Sequence, residues 1–386
     1  ETGRPFPKAA NLEDLDYRVY LLWAGDKLEA FYTRLRDSIR GVRPDAAVYT
    51  WSANAGRYGH FLMLPPAMPV RLNRIIDAPL QEWWMDESNL GSSIVPAFGA
   101  AYARAASGHR IAASEPYLVS RGDPYGVDSI PTREVVLRAM LALTNGSYCP
   151  FGGTNPNVSD TPRAAYEAMK ARAPWVVRAQ PMPWAAVLVS ERTREFFAYR
   201  DPIGNSMAHA FGVFRAAYEE HLPITLITES DLTMSRLRDY SVLVLPNAAC
   251  LSDDQLDVIR SYVSAGGGLV ATCETSLLDG LGRPRADFGL ADLFGVHYKG
   301  RAKAPRPEAN PEAPIALDDT FWGQRTAIGA FRFGGSDIAT KELIDDDRLR
   351  AFVPSAQVNI KAPVVRISAP EPPMKNALIF FPQNDR

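Results

Sequence analysis

Residues 240–275 hold the feature that most restricts the fold. Val242-Leu243-Val244-Leu245 is a short apolar run stopped by Pro246-Asn247. A run of that length between breakers reads as a strand buried on both faces. Ser252-Asp253-Asp254-Gln255 then has the capping-box pattern: the Ser hydroxyl accepts from an early backbone N–H, and the Gln side chain reaches back to the cap. Leu256, Ile259 and Val263 give the next helix one apolar stripe. Gly266-Gly267-Gly268 ends it, because glycine takes up a left-handed cap without a Cβ penalty. Leu269-Val270-Ala271-Thr272 predicts a second buried strand. Strand, helix and strand in so few residues make a right-handed βαβ unit, so a parallel sheet is expected here.

The chain has 386 residues, 46% of them apolar, which suits two or three domains with real cores. A net charge of −2 with no basic run argues against nucleic acid or an anionic membrane surface as the main partner. No uninterrupted apolar run approaches the ~18 residues of a membrane span. Cys149, Cys250 and Cys273 are few, odd in number and without CxxC spacing. They read as buried free thiols rather than a disulfide or metal set, and no cofactor is expected. The chain opens at Glu1 without a methionine or a signal-type segment, which fits a piece of a longer protein. The cytoplasm is the favoured compartment, though no targeting motif establishes it.

The first half alternates. A helix is expected from about Asp16 to Arg40, with Leu21, Leu28, Phe31, Leu35 and Ile39 on one face, ended by Gly41. Strands are expected at Ala46 to Trp51, Glu82 to Asp86, His109 to Glu115 and Asn145 to Phe151. Helices fall between them: one carries Ile94, Phe98, Ala101 and Ala105, and one opens at Pro131 and buries Val135, Val136, Ala139, Met140 and Leu143. A last helix opens at Thr161-Pro162 and runs to about Arg172. Four such units make either a small open sheet or the second half of an eight-fold barrel, since four βα units seldom close a sheet alone.

Prolines from Pro174 to Pro183 mark a boundary, giving domains of 1–174 and 175–386. Beyond it come a strand at Trp184 to Val189, a helix at Ser206 to Glu220 and a strand at Ile224 to Ile227. After the βαβ unit, a short helix is expected at Asp287 to Phe294 and a closing strand at Ala377 to Pro382.

Active sites of parallel barrels lie where strands end and loops begin. Glu115 ends a predicted strand and precedes Pro116, which favours extended backbone. Asp86 and Glu87 end the strand before it. Paired carboxylates around a sugar ring serve glycoside hydrolysis, one as acid and the other as nucleophile or base. The blander reading is that each sits on a solvated rim or in an ion pair. Trp51, Trp83 and Trp84 stand near predicted strand ends, and Tyr117 and Tyr125 follow Glu115. Flat aromatic faces suit the C–H faces of sugars, although one of the two adjacent tryptophans must face the helices instead. Arg121 and Asp123 read as loop surface before they read as hydroxyl ligands. His60, His109 and His209 are scattered without ligand spacing, so no metal site is expected. Gly266-Gly267-Gly268 follows a helix and precedes a strand, the reverse of a phosphate-cradling loop.

The passage YSVLVLPNAACLSDDQLDVIRSYVSAGGGLVATCETSLLD, with LADLFGVHY after it, resembles the trimerisation domain of the family 42 β-galactosidases. It is closer still to related hypothetical glycoside hydrolases, some of which are α-L-fucosidases. DYRVYLLWAGDKLEAFYTRLRDSIRGVRPDAAVYTW resembles the stretch from the fourth barrel strand's helix into the fifth strand, and REVVLRAMLALTNGSYCPFGG resembles the last barrel helix and strand. The resemblance covers most of residues 1–300.

It implies an α/β chain: the C-terminal half of a (β/α)8 barrel followed by a flavodoxin-like parallel domain. That domain is similar to class I glutamine amidotransferases without their catalytic residues. The implied activity is retaining hydrolysis of a galactoside or fucoside, in a trimer or dimer. Glu115 inherits the nucleophile's place after strand seven, or Glu87 if the count slips by one strand. The acid/base belongs after a fourth strand that this chain lacks. Trp51, Trp84, Asp86 and Tyr117 are the expected sugar contacts. An amidotransferase reading fails on residues: neither Cys250 nor Cys273 is flanked by the glycines a nucleophilic turn needs, and His297 is followed by Tyr298-Lys299. A non-catalytic sugar-binding or oligomer-forming relative is the other class that the residues allow.

Overall fold

The computed structural model of the protein describes residues 3–49, 70–77, 80–83, 94–116, 132–148, 160–177, 179–200, 203–301, 365–367 and 377–380. Their contacts divide into two compact units. Residues 21–180 make the first; residues 3–20 with 181–301, 365–367 and 377–380 make the second.

In the first unit, helix α1 (Leu15–Val42, its first residues belonging to the second unit) is followed by a 3-10 turn, Val70–Arg74. Then come β1 (Leu80–Trp83), α2 (Ile94–Ala106), β2 (Ala112–Pro116), α3 (Thr132–Thr144), β3 (Ser147–Tyr148) and α4 (Asp160–Val176). The strands pair in parallel in the order β1-β2-β3, and the helices are their crossovers. Small side chains bring the layers close. Ala97, Ala100, Ala103, Ala105 and Ala106 of α2 are all buried, with Phe98 stacked on Tyr102 one turn away. Ala100, Val135, Ala139, Ala142, Ala165 and Met169 form the core shared by α2, α3 and α4.

The structure departs from three expectations. Residues 46–49 form no strand, and what was expected of Trp51 lies outside the described residues. Helix α4 does not stop before Pro174 but runs to Val176. Proline in the last turn removes only one late ladder bond, and Val177 still donates to the Ala173 carbonyl at 2.9 Å. On α1, the expected buried face is only partly buried: Leu21 is, whereas Phe31, Leu35 and Ile39 are exposed.

The second unit contains β4 (Ala185–Leu188), α5 (Ala208–Glu219), β5 (Ile224–Ile227), α6 (Met234–Leu237), β6 (Val242–Leu245), α7 (Asp253–Ser264), β7 (Gly268–Thr272), α8 (Ala291–Phe294), β8 (Tyr298–Arg301), β9 (Val365–Ile367) and β10 (Ala377–Phe380). Five strands form one all-parallel sheet in the order β10-β7-β6-β4-β5, and β8 and β9 form a separate antiparallel pair. Strand order reverses where β4 lies between β5 and β6, which makes a topological switch point. The capping box on α7 is present: Gln255 N donates to Ser252 Oγ at 3.3 Å, and Ser252 N donates to Gln255 Oε1 at 2.8 Å. Leu256, Ile259, Tyr262 and Val263 are buried against Leu243, Leu245, Leu269 and Ala271 of the sheet.

Gly266 at φ +100° carries the left-handed cap, and Gly267 meets the Tyr262 ring so closely that a Cβ would lie 2.3 Å from it. That ring is pinned, because its hydroxyl donates to the Tyr240 carbonyl at 3.0 Å. Gly267→Ala is therefore expected to destabilise the second unit by about 3 kcal/mol, read as a lower urea midpoint at unchanged slope. Gly266→Asn, at an open left-handed position, should cost much less.

Candidate functional site

In the first unit, the sequence placed chemistry at the carboxyl ends of the parallel strands. Glu115 is the penultimate residue of β2, in register with Glu82 of β1, while Pro116 is in register with Trp83. Neighbouring strands lie about 4.8 Å apart, so the register brings two carboxylate-bearing positions side by side. Glu82 was not singled out from sequence, because β1 was expected to begin there; it ends at Trp83 as described. Glu87, Asp86, Trp51, Trp84 and Tyr117 lie outside the described residues, as do Arg121, Asp123 and Tyr125.

In the second unit, polar side chains gather at the carboxyl ends of β4, β5 and β6, where the strand order reverses. The chain leaving β4 enters a π-helical turn, Thr193–Phe197, that buries Thr193, Arg194, Glu195 and Phe196. Glu229, after β5, accepts from Ser190 Oγ at 2.9 Å and from Arg192 N at 3.0 Å. Cys250, after β6, donates its backbone N–H to Thr193 Oγ1 at 3.1 Å. Arg194 donates to Glu195 at 2.9 Å and lies 3.7 Å from Glu191.

Two carboxylates, Glu191 and Glu195, thus share the buried Arg194 guanidinium, and Glu229 is tied to the cluster through Ser190 and the Arg192 backbone. Burial, and then the charge of Glu191, push Glu195 up to about 8 against the pull of Arg194 and Arg192. The same two causes raise Glu229.

The protein's own amino-terminal segment lies against this cluster. Arg18 donates to the carbonyls of Leu12 at 2.5 Å, Leu281 at 2.8 Å and Gly282 at 3.0 Å. Its guanidinium stands 5.5 Å from the Phe196 ring centroid, and that of Arg192 stands 5.4 Å from the same ring. Glu13 accepts from Tyr199 at 2.8 Å and pairs with Arg200. Gly282, at φ +74°, leaves room for this contact: a Cβ there would lie 2.5 Å from Arg18 Nη1 and 2.8 Å from Phe196 Cβ. Gly282→Ala is expected to cost about 2 kcal/mol, read by urea denaturation and by faster hydrogen exchange in residues 12–20. An unchanged midpoint would mean that the segment is only loosely seated.

Cys273 follows β7 directly with φ 52°, and its Sγ lies 4.0 Å from Nδ1 of His209 on α5. Burial pushes the thiol up to about 12, so it is not a standing thiolate. His297 pairs with Asp287 at 2.6 Å. Among the described residues no group of three or more His, Cys, Asp or Glu side chains could hold a metal ion, and no helix is long and apolar enough to cross a membrane.

No protein-family model and no curated protein matches the chain. Solved structures are similar. Gan42B, a GH42 β-galactosidase from G. stearothermophilus, aligns with 79% of this chain and 48% of its own at 15% identity and a TM-score of 0.60. The polyextremophilic β-galactosidase from the Antarctic haloarchaeon Halorubrum lacusprofundi aligns with 78% and 49% at 15% identity, TM-score 0.60. The β-galactosidase from Bacillus circulans sp. alkalophilus aligns with 78% and 47% at 15% identity, TM-score 0.58. The chain spans about half the length of these structures. At such identity the likeness is one of fold, an α/β chain with parallel sheets.

Proposed function

We propose that the chain is part of a retaining glycoside hydrolase, acting on a galactoside or fucoside through a carboxylate pair. The observation that carries this reading is the fold likeness to GH42 β-galactosidases, together with Glu115 at the carboxyl end of a parallel strand. Residues 1–174 are read as the second half of a (β/α)8 barrel, with Glu115 as nucleophile and Glu87 in reserve. Trp51, Trp84, Asp86 and Tyr117 are read as sugar contacts, and the acid/base as belonging to a segment ahead of residue 1. Attack by Glu115 on the anomeric carbon forms a glycosyl ester as the leaving group takes a proton. Water then releases the sugar, with the acid/base now removing a proton from it.

Residues 175–386 are read as a flavodoxin-like module for assembly into a trimer or dimer, a reading that the strand order β10-β7-β6-β4-β5 supports. At its switch point, where such folds bind ligands, Arg18 stands over the Phe196 ring. That contact at the switch point also favours the second reading, a non-catalytic carbohydrate-binding or oligomer-forming protein of the same architecture.

The test is covalent trapping in the whole protein with 2-deoxy-2-fluoro aryl galactosides and fucosides, whose glycosyl-enzymes hydrolyse slowly. A sugar adduct on the peptide containing Glu115 is expected. An adduct on Glu87 or Glu82 moves the nucleophile to the neighbouring strand. No adduct, with no turnover of ordinary aryl glycosides, leaves the non-catalytic reading.

A further inference from the structure

From Asp26 to Val42, helix α1 is charged on the face it uses and apolar on the face it leaves exposed, whereas Leu21, on the same apolar side near its start, is buried. At about 100° per residue, Asp26, Glu29, Arg36 and Arg40 fall on one side. All four are engaged by the turn that follows. Arg71 pairs with Asp26 and, at 2.5 Å, with Glu29. Arg36 donates to the Ile75 carbonyl at 3.4 Å, and Arg40 to Asp77 at 2.6 Å. Roughly 140° round the helix, Phe31, Leu35, Ile39 and Val42 form a single stripe. They are exposed by 51, 41, 37 and 90%. A helix on the surface of a finished domain shows the reverse, apolar side inward and charges in water. Isolated exposed hydrophobic residues are ordinary; four aligned on one helix face are not.

Two observations indicate the occupant. The β1-β2-β3 sheet is all-parallel, and the outer edges of β1 and β3 have no strand partner among the described residues. Parallel sheets are found covered on both faces, commonly by closing into a barrel ringed with helices. The GH42 structures of like fold are about twice as long, this chain matching 48% of Gan42B.

The geometry points to a docking surface: the Phe31-Leu35-Ile39-Val42 stripe seats a helix from further βα units that precede residue 1 in the whole protein. Apolar ridges on that helix enter the grooves of the stripe with axes about 8–10 Å apart. This inference rests on the half-barrel reading proposed above, but it concerns packing and not chemistry.

Leu35→Cys reports on the seat. It is placed in the chain of residues 1–386 and in the whole protein, and each is treated with a maleimide fluorophore, with the unsubstituted proteins as background. Labelling in the whole protein is expected to be at least about a hundredfold slower than in the shorter chain. Equal rates would overturn the seat. So would labelling of the shorter chain that is slow when concentrated and fast when dilute, since a second copy would then be the occupant. A whole protein with no βα pattern ahead of residue 1 would also overturn it. Should the cysteine variant misfold, hydrogen exchange of 31–42 in the unsubstituted pair gives the same comparison. A protected stripe in a protein without glycosidase activity keeps the seat and removes the proposed function; an exposed stripe in an active protein does the opposite.

Discussion

Replacing Glu115 by glutamine in the whole protein should lower kcat on an aryl glycoside by at least about a thousandfold, roughly 4 kcal/mol of barrier. KM and the unfolding midpoint should move little. The side chain keeps its size, so the strand is undisturbed; the amide simply cannot form the glycosyl ester. A group that acts only in the transition state lowers kcat and kcat/KM together. Glu115→Ala gives a readout that a structural role would not. Added azide should restore part of the turnover and yield a glycosyl azide of inverted configuration, because the small anion enters where the carboxylate stood. Full activity in Glu115→Gln would remove Glu115 from the mechanism. Loss of activity together with a lower midpoint would reassign it to the framework of β2, whose register with β1 includes this position.

The second large effect belongs to the buried cluster at the switch point. Arg194→Ala is expected to destabilise the second unit by about 3 kcal/mol, because it leaves the nearly buried Glu191 carboxylate without its cation and Glu195 without its hydrogen-bond donor. Glu195→Gln keeps the shape without the charge. Glu195 has its folded pKa raised to about 8, above its unfolded value. The folded state therefore holds an extra proton between the two values. Stability is greatest below the unfolded pKa and falls as pH rises through about 8, at up to about 1.4 kcal/mol per pH unit. The groups facing Glu195 are Glu191, Arg192 and Arg194, with Glu229 joined through Ser190 and the Arg192 backbone. Urea denaturation at pH 5.5 and 8.5 should show the unsubstituted protein losing a few kcal/mol over that interval and Glu195→Gln losing much less. Parallel losses in both would assign the pH dependence to other groups.

The local chemistry of the second unit was legible because its signals are short-range. The Ser252–Gln255 capping box, the apolar spacing of Leu256, Ile259 and Val263, and the glycines after α7 each act within a few residues. The candidate site was legible only as positions. Glu115 could be placed at a strand end from Pro116 and the loop after it. Its register partner Glu82 could not, because β1 carries polar residues that obscure where the strand stops. The acidic cluster was not legible, for a different reason. Ser190, Glu191, Arg194 and Glu195 match no motif in sequence, and only the burial of Ser190, Arg194 and Glu195 beside Glu229 changes their chemistry.

By itself the sequence determined the elements whose causes lie inside them: parallel strands of uniform apolar residues, capped helices and glycine stops. Tertiary structure alone decided which strands lie side by side, which face of α1 meets the body of its unit, and which carboxylates share one guanidinium. Helix α1 shows why. Its apolar periodicity marks an amphipathic helix equally well whichever side is covered, whereas the ion pairs that commit its charged side are made with residues about forty positions away. Periodicity encodes a helix with two unlike faces; contacts distant in sequence choose between them.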